Sequence, residues 1–140
     1  LMKRTANAHW NGTLQAGQGE ITTQSTVLNK TQYSFKTRFA DGVGTNPEEL
    51  VAAAHAGCFT MALSATLSQA GFTPGDLTTD AILDLDLQAL QINGIHLELK
   101  ATVIDGLDEA KFKEIAEDAK KNCIVSKALN VPFTLNVTYA

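Results

Sequence analysis

The sequence feature that most constrains the fold is a long stretch without formal charge. No Asp, Glu, Lys or Arg occurs in residues 50–75. The stretch begins and ends like a helix. Asn46 suits the N-cap position and Pro47 the first helical position, while Gly71 suits the left-handed residue that ends a helix, with Phe72 after it as a hydrophobic contact. The sequence therefore predicts a helix of about 25 residues, roughly 36 Å long.

An uncharged helix of this length has the dimensions of a membrane span. This one is rich in alanine, carries polar residues such as His55 and Thr60, and has no second apolar stretch beside it. We interpret it as a helix buried on all sides in a protein that does not enter a membrane. One domain of residues 1–140 offers little surface to cover such a helix. The sequence therefore predicts a homodimer with the helix near its centre, although a second sheet layer from the same chain could also cover it.

The remaining periodicity predicts an α+β fold with antiparallel sheets. A second amphipathic helix is expected from Asp108 to Cys123, and Ser126 is expected to cap a short further turn. Alternating apolar residues predict the strands, with Asn93-Gly94 in the connection of the central hairpin. The predicted strands cover residues 20–27, 33–39, 81–89, 95–103 and 133–139.

Charge and cysteine content exclude several classes of protein. The net charge of −4 argues against a nucleic-acid partner, which would require a basic face. Lys3-Arg4 is not followed by an apolar segment, so we expect no secretion signal and a cytoplasmic location. Two cysteines in such a chain do not indicate a structural disulfide framework.

The two thiols are nevertheless the most oxidisable side chains of the protein. Cys58 lies about 18 Å from the helix N-terminus, too far for the helix dipole to lower its pKa. Burial alone would raise the pKa of this thiol and leave it inert. One interpretation is therefore a small core residue; a reactive Cys58 requires a cation from elsewhere in the sequence.

Few residues could supply that cation or act as a base. His55 lies three residues before Cys58 on the same helix face, although a histidine on an apolar helix is more often a hydrogen-bonded core residue. Arg38 shortly precedes the helix, and Glu48 and Glu49 place carboxylates in the first turn. The His and Cys residues lack the spacing of a metal site, so we expect neither a metal nor a cofactor.

Several segments together resemble one family, the OsmC/Ohr family of thiol-dependent peroxidases. They are residues 46–59, with the sequence NPEELVAAAHAGCF, residues 35–39, Trp10-Asn-Gly12, and Asn122-Cys123 with Ser126 after them. The resemblance covers the whole chain. It implies an intertwined homodimer in which long central helices pack between sheets, with an active site at each side of the interface.

The resemblance also implies a role for each site residue. Cys58 would be the peroxidatic cysteine and Cys123 the resolving cysteine, and Arg38 would polarise the first thiol together with Glu48 or Glu49. The implied reaction reduces organic hydroperoxides, and hydrogen peroxide less well, with a small or protein dithiol as reductant. Two alternatives remain open: a dimeric binding module for small molecules with inert cysteines, and a thiol–disulfide oxidoreductase, against which the lack of a Cys-x-x-Cys motif counts.

Overall fold

The computed structural model describes all residues from 1 to 140. The α+β composition expected from the sequence is confirmed, with six strands and four helices along the chain. Two compact units are present, Leu1–Leu50 and Val51–Ala140. The organisation as one domain remains a prediction.

The first unit contains a three-stranded antiparallel sheet in the order β1-β2-β3. Its strands are β1 (Ala6–Asn11), β2 (Gln18–Thr23) and β3 (Thr31–Tyr33). Gly19 pairs with Trp10 on one side and Tyr33 on the other. A Cβ atom at Gly19 would lie 2.6 Å from the Trp10 ring and 2.5 Å from the Tyr33 ring. Only glycine therefore lets both aromatic side chains cover the middle strand.

Two strand predictions in this unit are wrong in extent. The strand expected over residues 20–27 ends at Thr23, and the strand expected over residues 33–39 ends at Tyr33. The segment after Tyr33 is instead a short helix, α1 (Phe35–Phe39). The Ser34 hydroxyl accepts from the Thr37 N–H at 3.4 Å, and the Thr37 hydroxyl accepts from the Ser34 N–H at 2.8 Å. This reciprocal cap outweighs the alternating aromatic pattern.

The second unit contains a mixed three-stranded sheet in the order β4-β5-β6. Strands β4 (Leu77–Asp86) and β5 (Gln91–Ala101) pair antiparallel, whereas β5 and β6 (Phe133–Tyr139) pair parallel. The prediction of antiparallel sheets therefore fails for the last strand. Helices α3 (Glu109–Asn122) and α4 (Ile124–Ala128) lie between β5 and β6, and such a crossover returns the chain in its original direction.

The central hairpin forms as expected, but its turn lies earlier than Asn93-Gly94. Residues 87–90 form the turn, where the Asp86 carboxylate accepts from the N–H groups of Gln88 and Ala89, both at 2.9 Å. Asn93 and Gly94 lie inside β5, where the strand register shifts by one residue. A Cβ atom at position 94 would stand 3.1 Å from the Pro132 carbonyl oxygen, a tight contact that favours glycine in this bulge.

The long helix α2 (Pro47–Gln69) ends as the sequence predicts. The Asn46 side chain accepts from the Glu49 N–H at 2.7 Å. At the other end Gly71 has a φ of +89°, and the N–H groups of Gly71 and Phe72 donate to the carbonyls of Ser68 and Leu67. These two bonds are a Schellman motif, which satisfies carbonyl groups that the helix leaves free.

One hydrophobic core occupies the second unit, between the helices and one face of the sheet. Alternate residues of β5 and the inner stripe of α3 contribute to it as predicted. From α2, one stripe is fully buried in it: His55, Phe59, Leu63 and Leu67. Val51, Cys58 and Ala62 beside this stripe are partly buried against the core.

The single chain does not bury α2 on all sides, as expected for one small domain, and its burial by a second copy stays a prediction. An opposite stripe is exposed, and the Met61 side chain on it is 76% accessible. The stripe consists of Ala54, Gly57, Met61, Ala65 and Ser68. α2 is also the one helix long and apolar enough to cross a membrane, a property that core helices share. The side chains that it packs into the core favour a core helix.

The end of α2 provides a stability test. Gly71→Ala should lower the free energy of unfolding by about 1–2 kcal/mol, because alanine pays a steric cost at positive φ. No heavy atom would lie within 4 Å of the added methyl group, so the cost is conformational. Gly71→Asn is the control, and should recover part of the loss because asparagine tolerates this conformation. Urea unfolding at one fixed protein concentration measures both, and equal stabilities of wild type and Gly71→Ala would contradict the cap.

Candidate functional site

The two thiols, far apart in sequence, meet in the second unit. Cys58 comes from the middle of α2, and Cys123 from the junction of α3 and α4. Both cysteines are free, and their side chains are close enough that each affects the ionisation of the other. Cys58 is half-buried, whereas Cys123 is only 1% exposed. The partly accessible thiol is thus the one that an external reagent reaches first.

Local structure explains why Cys123 stands at this position. It ends α3, where its N–H donates to the Ala119 carbonyl, and it begins α4, where its own carbonyl accepts from Lys127, each at 3.0 Å. The side chain therefore continues the apolar stripe of α3 towards α2. The first amide groups of α4 lie beside its sulfur, although none makes a complete cap hydrogen bond.

The pKa values of the two thiols move in opposite directions. Burial raises the pKa of Cys58, and the hydrogen bond with Cys123 raises it further, while the amides of Val125 and Ile124 offset only part of the rise. Burial also opposes ionisation of Cys123. The hydrogen bond from Cys58, the amide and hydroxyl of Ser126 and the amide of Val125 outweigh it and lower the pKa of Cys123. Negative charge on the isolated pair therefore favours Cys123.

His55 is the buried core histidine that its helical surroundings suggest. It is fully buried, and its Nε2 atom lies 2.8 Å from the Ser126 hydroxyl. Its ring packs edge-on against Phe133, with the ring centres 4.6 Å apart. Burial lowers the pKa of His55, so the imidazole is neutral near pH 7. Ser126 lies inside α4 and does not cap it, which corrects the sequence prediction, because Cys123 occupies the N-cap position.

Arg38 pairs with Glu48 in the first unit. Arg38 Nε lies 2.8 Å from Glu48 Oε1, with the Arg38 side chain 48% exposed and that of Glu48 12% exposed. Glu49 instead accepts a hydrogen bond from the Thr45 hydroxyl at 2.7 Å. Arg38 thus has Glu48 as its partner, which distinguishes the two carboxylates left open by the sequence. The second oxygen of Glu48 is buried without a hydrogen-bond partner.

A small apolar cavity of about 270 Å³ adjoins Arg38 in the first unit. The guanidinium also lies 5.5 Å from the centre of the Phe39 ring. The cavity is lined by Trp10, Leu14, Tyr33, Ser34, Phe35, Arg38 and Phe39. Such a cavity can hold an alkyl group while the guanidinium binds an oxygen. No three His, Cys, Asp or Glu side chains lie close enough together to hold a metal ion.

Comparison with known proteins identifies the family. A family model described as OsmC-like protein matches residues 40–137. The chain belongs to the OsmC-like family. Peroxiredoxin OsmC of Escherichia coli is 43% identical over 134 residues, which cover 95% of this chain and 94% of the relative.

More distant members of the family agree in sequence and in fold. The organic hydroperoxide resistance protein of Xanthomonas axonopodis pv. citri is 35% identical over 101 residues, 70% of each chain. The crystal structure of the organic hydroperoxide resistance protein OhrB of Bacillus subtilis superposes with a TM-score of 0.65 at 26% identity. That match covers 97% of this chain and 98% of the other. The predicted family and its α+β fold are thus confirmed.

Sequence reasoning missed two parts of the candidate site. The aromatic cavity beside Arg38 depends on α1, which the alternating pattern had assigned to a strand. The bond between Ser126 and His55 joins residues on α4 and α2 that are distant in sequence, and no spacing rule connects them. A polar residue three positions after Cys123 was the only available signal.

The thiol pair makes a direct prediction about oxidation. One equivalent of diamide should convert Cys58 and Cys123 into a disulfide within one chain, because the two thiols are close enough to affect each other's ionisation. Peptide mapping under non-reducing conditions should find the two cysteine peptides joined. The Cys123→Ser variant is the control and should give no intrachain product. Recovery of two free thiols from the wild type would contradict the observed proximity.

Proposed function

We propose that the protein is a thiol-dependent peroxidase that reduces organic hydroperoxides, and hydrogen peroxide less well. The observation that carries this proposal is a pair of neighbouring free thiols in a member of the OsmC-like family. The names of its relatives, a peroxiredoxin and organic hydroperoxide resistance proteins, support the same reaction. In this proposal Cys58 is peroxidatic and Cys123 is resolving.

The first step requires a thiolate at Cys58. Its sulfur attacks one peroxide oxygen, the O–O bond breaks, and the product is a Cys58 sulfenic acid with an alkoxide that takes up a proton as it leaves. Within its own unit the pKa of Cys58 is raised by burial, so a cation must favour ionisation. We assign that role to Arg38, whose pairing with Glu48 leaves both Nη nitrogens without hydrogen bonds.

Glu48 has a supporting role in this scheme. A carboxylate bound to Nε fixes the orientation of the guanidinium plane, so its remaining donors can be directed at a thiolate or a peroxide oxygen. The buried, unpartnered second oxygen of Glu48 can accept the O–H of a hydroperoxide. Glu49 is occupied by Thr45 and belongs to the helix start rather than to the reaction.

The second step removes the sulfenic acid. Cys123 attacks Cys58 sulfur, water leaves and a disulfide forms, which an external dithiol then reduces. We also propose a cytoplasmic location, where cellular dithiols keep protein thiols reduced. The apolar cavity beside Arg38 supports a preference for alkyl hydroperoxides, because an alkyl chain gains from burial there and hydrogen peroxide has none.

The assembly proposed for this enzyme is a homodimer. The exposed stripe of α2 consists of small residues around Met61, and such residues allow another helix to approach closely. Burial of this stripe against a second copy would remove its apolar surface from water.

Arg38 can be tested by substitution. Arg38→Ala should leave the protein folded, because an exposed ion pair contributes little stability. It should slow cumene hydroperoxide reduction at least about tenfold, since the Cys58 thiolate fraction falls. Arg38→Lys should recover only part of the rate, because an ammonium group lacks the planar fork. Stopped-flow oxidation of the reduced protein measures each rate.

Lys36→Ala is the matched control, since it removes a positive charge from the same short helix and should keep the wild-type rate. Cys58→Ser should abolish peroxide reduction, and Cys123→Ser should allow one oxidation but expose the sulfenic acid to overoxidation. Equal rates for wild type and Arg38→Ala would assign the activation of Cys58 to another group. Slow peroxide oxidation in every variant, wild type included, would favour a binding module with inert cysteines.

The dimer has its own test. The wild type should have the mass of two chains in light scattering at micromolar concentration. Met61→Asp should dissociate or destabilise the dimer, because a carboxylate would be buried in the helix contact without a partner. Val103→Asp is the control, since it places the same charge at another exposed apolar residue. A folded wild-type monomer at this concentration would contradict the assembly.

A further inference from the structure

A buried polar contact links the thiol pair to a group that the proposed reaction does not use. Ser126 lies in the first turn of α4, three residues after Cys123, and its hydroxyl oxygen lies 2.8 Å from His55 Nε2. The Ser126 hydroxyl is also one of the groups that lower the pKa of Cys123. Ser126 is buried, Cys123 is 1% exposed and His55 is fully buried. The four side chains therefore lie in the order His55, Ser126, Cys123 and Cys58, with the fully buried histidine at one end.

The direction of the hydrogen bonds follows from the donors available. The Ser126 hydroxyl must donate its proton to Cys123 sulfur in order to stabilise a thiolate there, so its oxygen is left to accept from His55 Nε2–H. His55 Nδ1 is buried without a hydrogen-bond partner. In this tautomer Nδ1 carries no hydrogen, so the buried group without a partner is an acceptor and not an N–H donor. Each donor then polarises the next, which strengthens both bonds because the three residues are buried.

We propose that Ser126 and His55 position and ionise the resolving cysteine: the Ser126 hydroxyl donates to Cys123 sulfur, and His55 holds that hydroxyl in the donating orientation. This proposal deepens the proposed function and rests on it for its role in catalysis. His55 and Ser126 are positioning residues, because neither touches the peroxide. The bond between His55 and Ser126 is present in the reduced protein, where its effect on Cys123 can be tested without any peroxide.

The step that they serve is formation of the disulfide. Cys123 gives up its proton, its sulfur electron pair forms the bond to Cys58 sulfur, and the S–O bond of the sulfenic acid breaks. The leaving hydroxide takes up the proton and departs as water. A hydrogen bond that lowers the pKa of Cys123 raises its thiolate fraction about tenfold but makes each thiolate about threefold less nucleophilic. Disulfide formation is therefore about threefold faster overall.

The first experiment measures ionisation of Cys123 alone. Cys58→Ser keeps a hydroxyl donor beside Cys123 and leaves one thiol, whose thiolate absorbance in the ultraviolet is recorded against pH. In that background Ser126→Ala should lower the thiolate fraction at neutral pH about tenfold, because a hydrogen bond to the charged sulfur is lost. His55→Leu should lower it by a smaller factor, because His55 acts through Ser126.

Two further variants separate positioning from packing. His55→Gln places an amide N–H near the position of Nε2 and should restore the titration curve, whereas His55→Leu should not. In a Ser126→Ala protein, His55→Leu should have no further effect on the curve, since the link between the two residues is already cut. Thr79→Val is the matched control. It removes a hydrogen bond of the same 2.8 Å length, between the hydroxyl groups of Thr60 in α2 and Thr79, and should leave the titration curve unchanged.

The second experiment measures the reaction in the otherwise native protein. Ser126→Ala should form the sulfenic acid at the wild-type rate but close the disulfide about threefold more slowly, with more overoxidation at high hydroperoxide concentration. If Ser126→Ala and His55→Leu leave the Cys123 titration unchanged, the positioning role is overturned whatever the peroxidase activity. If the titration shifts but wild type fails to reduce hydroperoxides, the contact network holds and the proposed function is wrong.

Discussion

The candidate site depends on how the inner stripe of α2 packs into the core of the second unit. Phe59, Leu63 and Leu67 of this stripe are fully buried, and they fix the rotation of the helix about its axis. That rotation brings Cys58 against Cys123 and His55 against Ser126. Burial of these apolar side chains contributes about 1.5–3 kcal/mol each, so a different rotation of the helix would be costly.

The same burial creates the electrostatic problem of the site. Desolvation raises the pKa of the Cys58 thiol, and the groups around the pair favour charge on Cys123 instead. The surroundings in the second unit therefore favour ionisation of Cys123, the cysteine proposed to act second. A cation for the first cysteine has to come from other residues, and the guanidinium of Arg38 is proposed because its terminal nitrogens are unoccupied.

The sequence predicted those parts of the fold that local chemistry decides. The ends of α2 followed from Asn46 and Gly71, and the inner stripe of α3 from its apolar spacing, since each depends on neighbouring residues only. The strand assigned to residues 33–39 failed because two hydroxyl groups formed a helix cap that hydropathy cannot detect. The prediction of a turn at Asn93-Gly94 failed because this dipeptide suits a β-bulge as well as a turn.

The family resemblance named the residues of the candidate site but not their contacts, and the roles of those residues stay predictions. Cys58, Cys123, Arg38 and the glutamates were identified from the family resemblance, whereas the choice of Glu48 over Glu49 required the orientation of two side chains at a helix start. The bond between Ser126 and His55 joins residues on separate helices, so only the packed structure brings them together.

The meeting of Cys58 with Cys123 also has a consequence for the whole fold. A disulfide between them would close a loop of about 65 residues and tie α2 to the junction of α3 and α4. Loop closure of that size removes about 4 kcal/mol of chain entropy from the unfolded state. The disulfide form of the enzyme would then melt at a higher temperature than the dithiol form. The melting temperature would therefore report the fraction of the enzyme that is oxidised and not yet reduced.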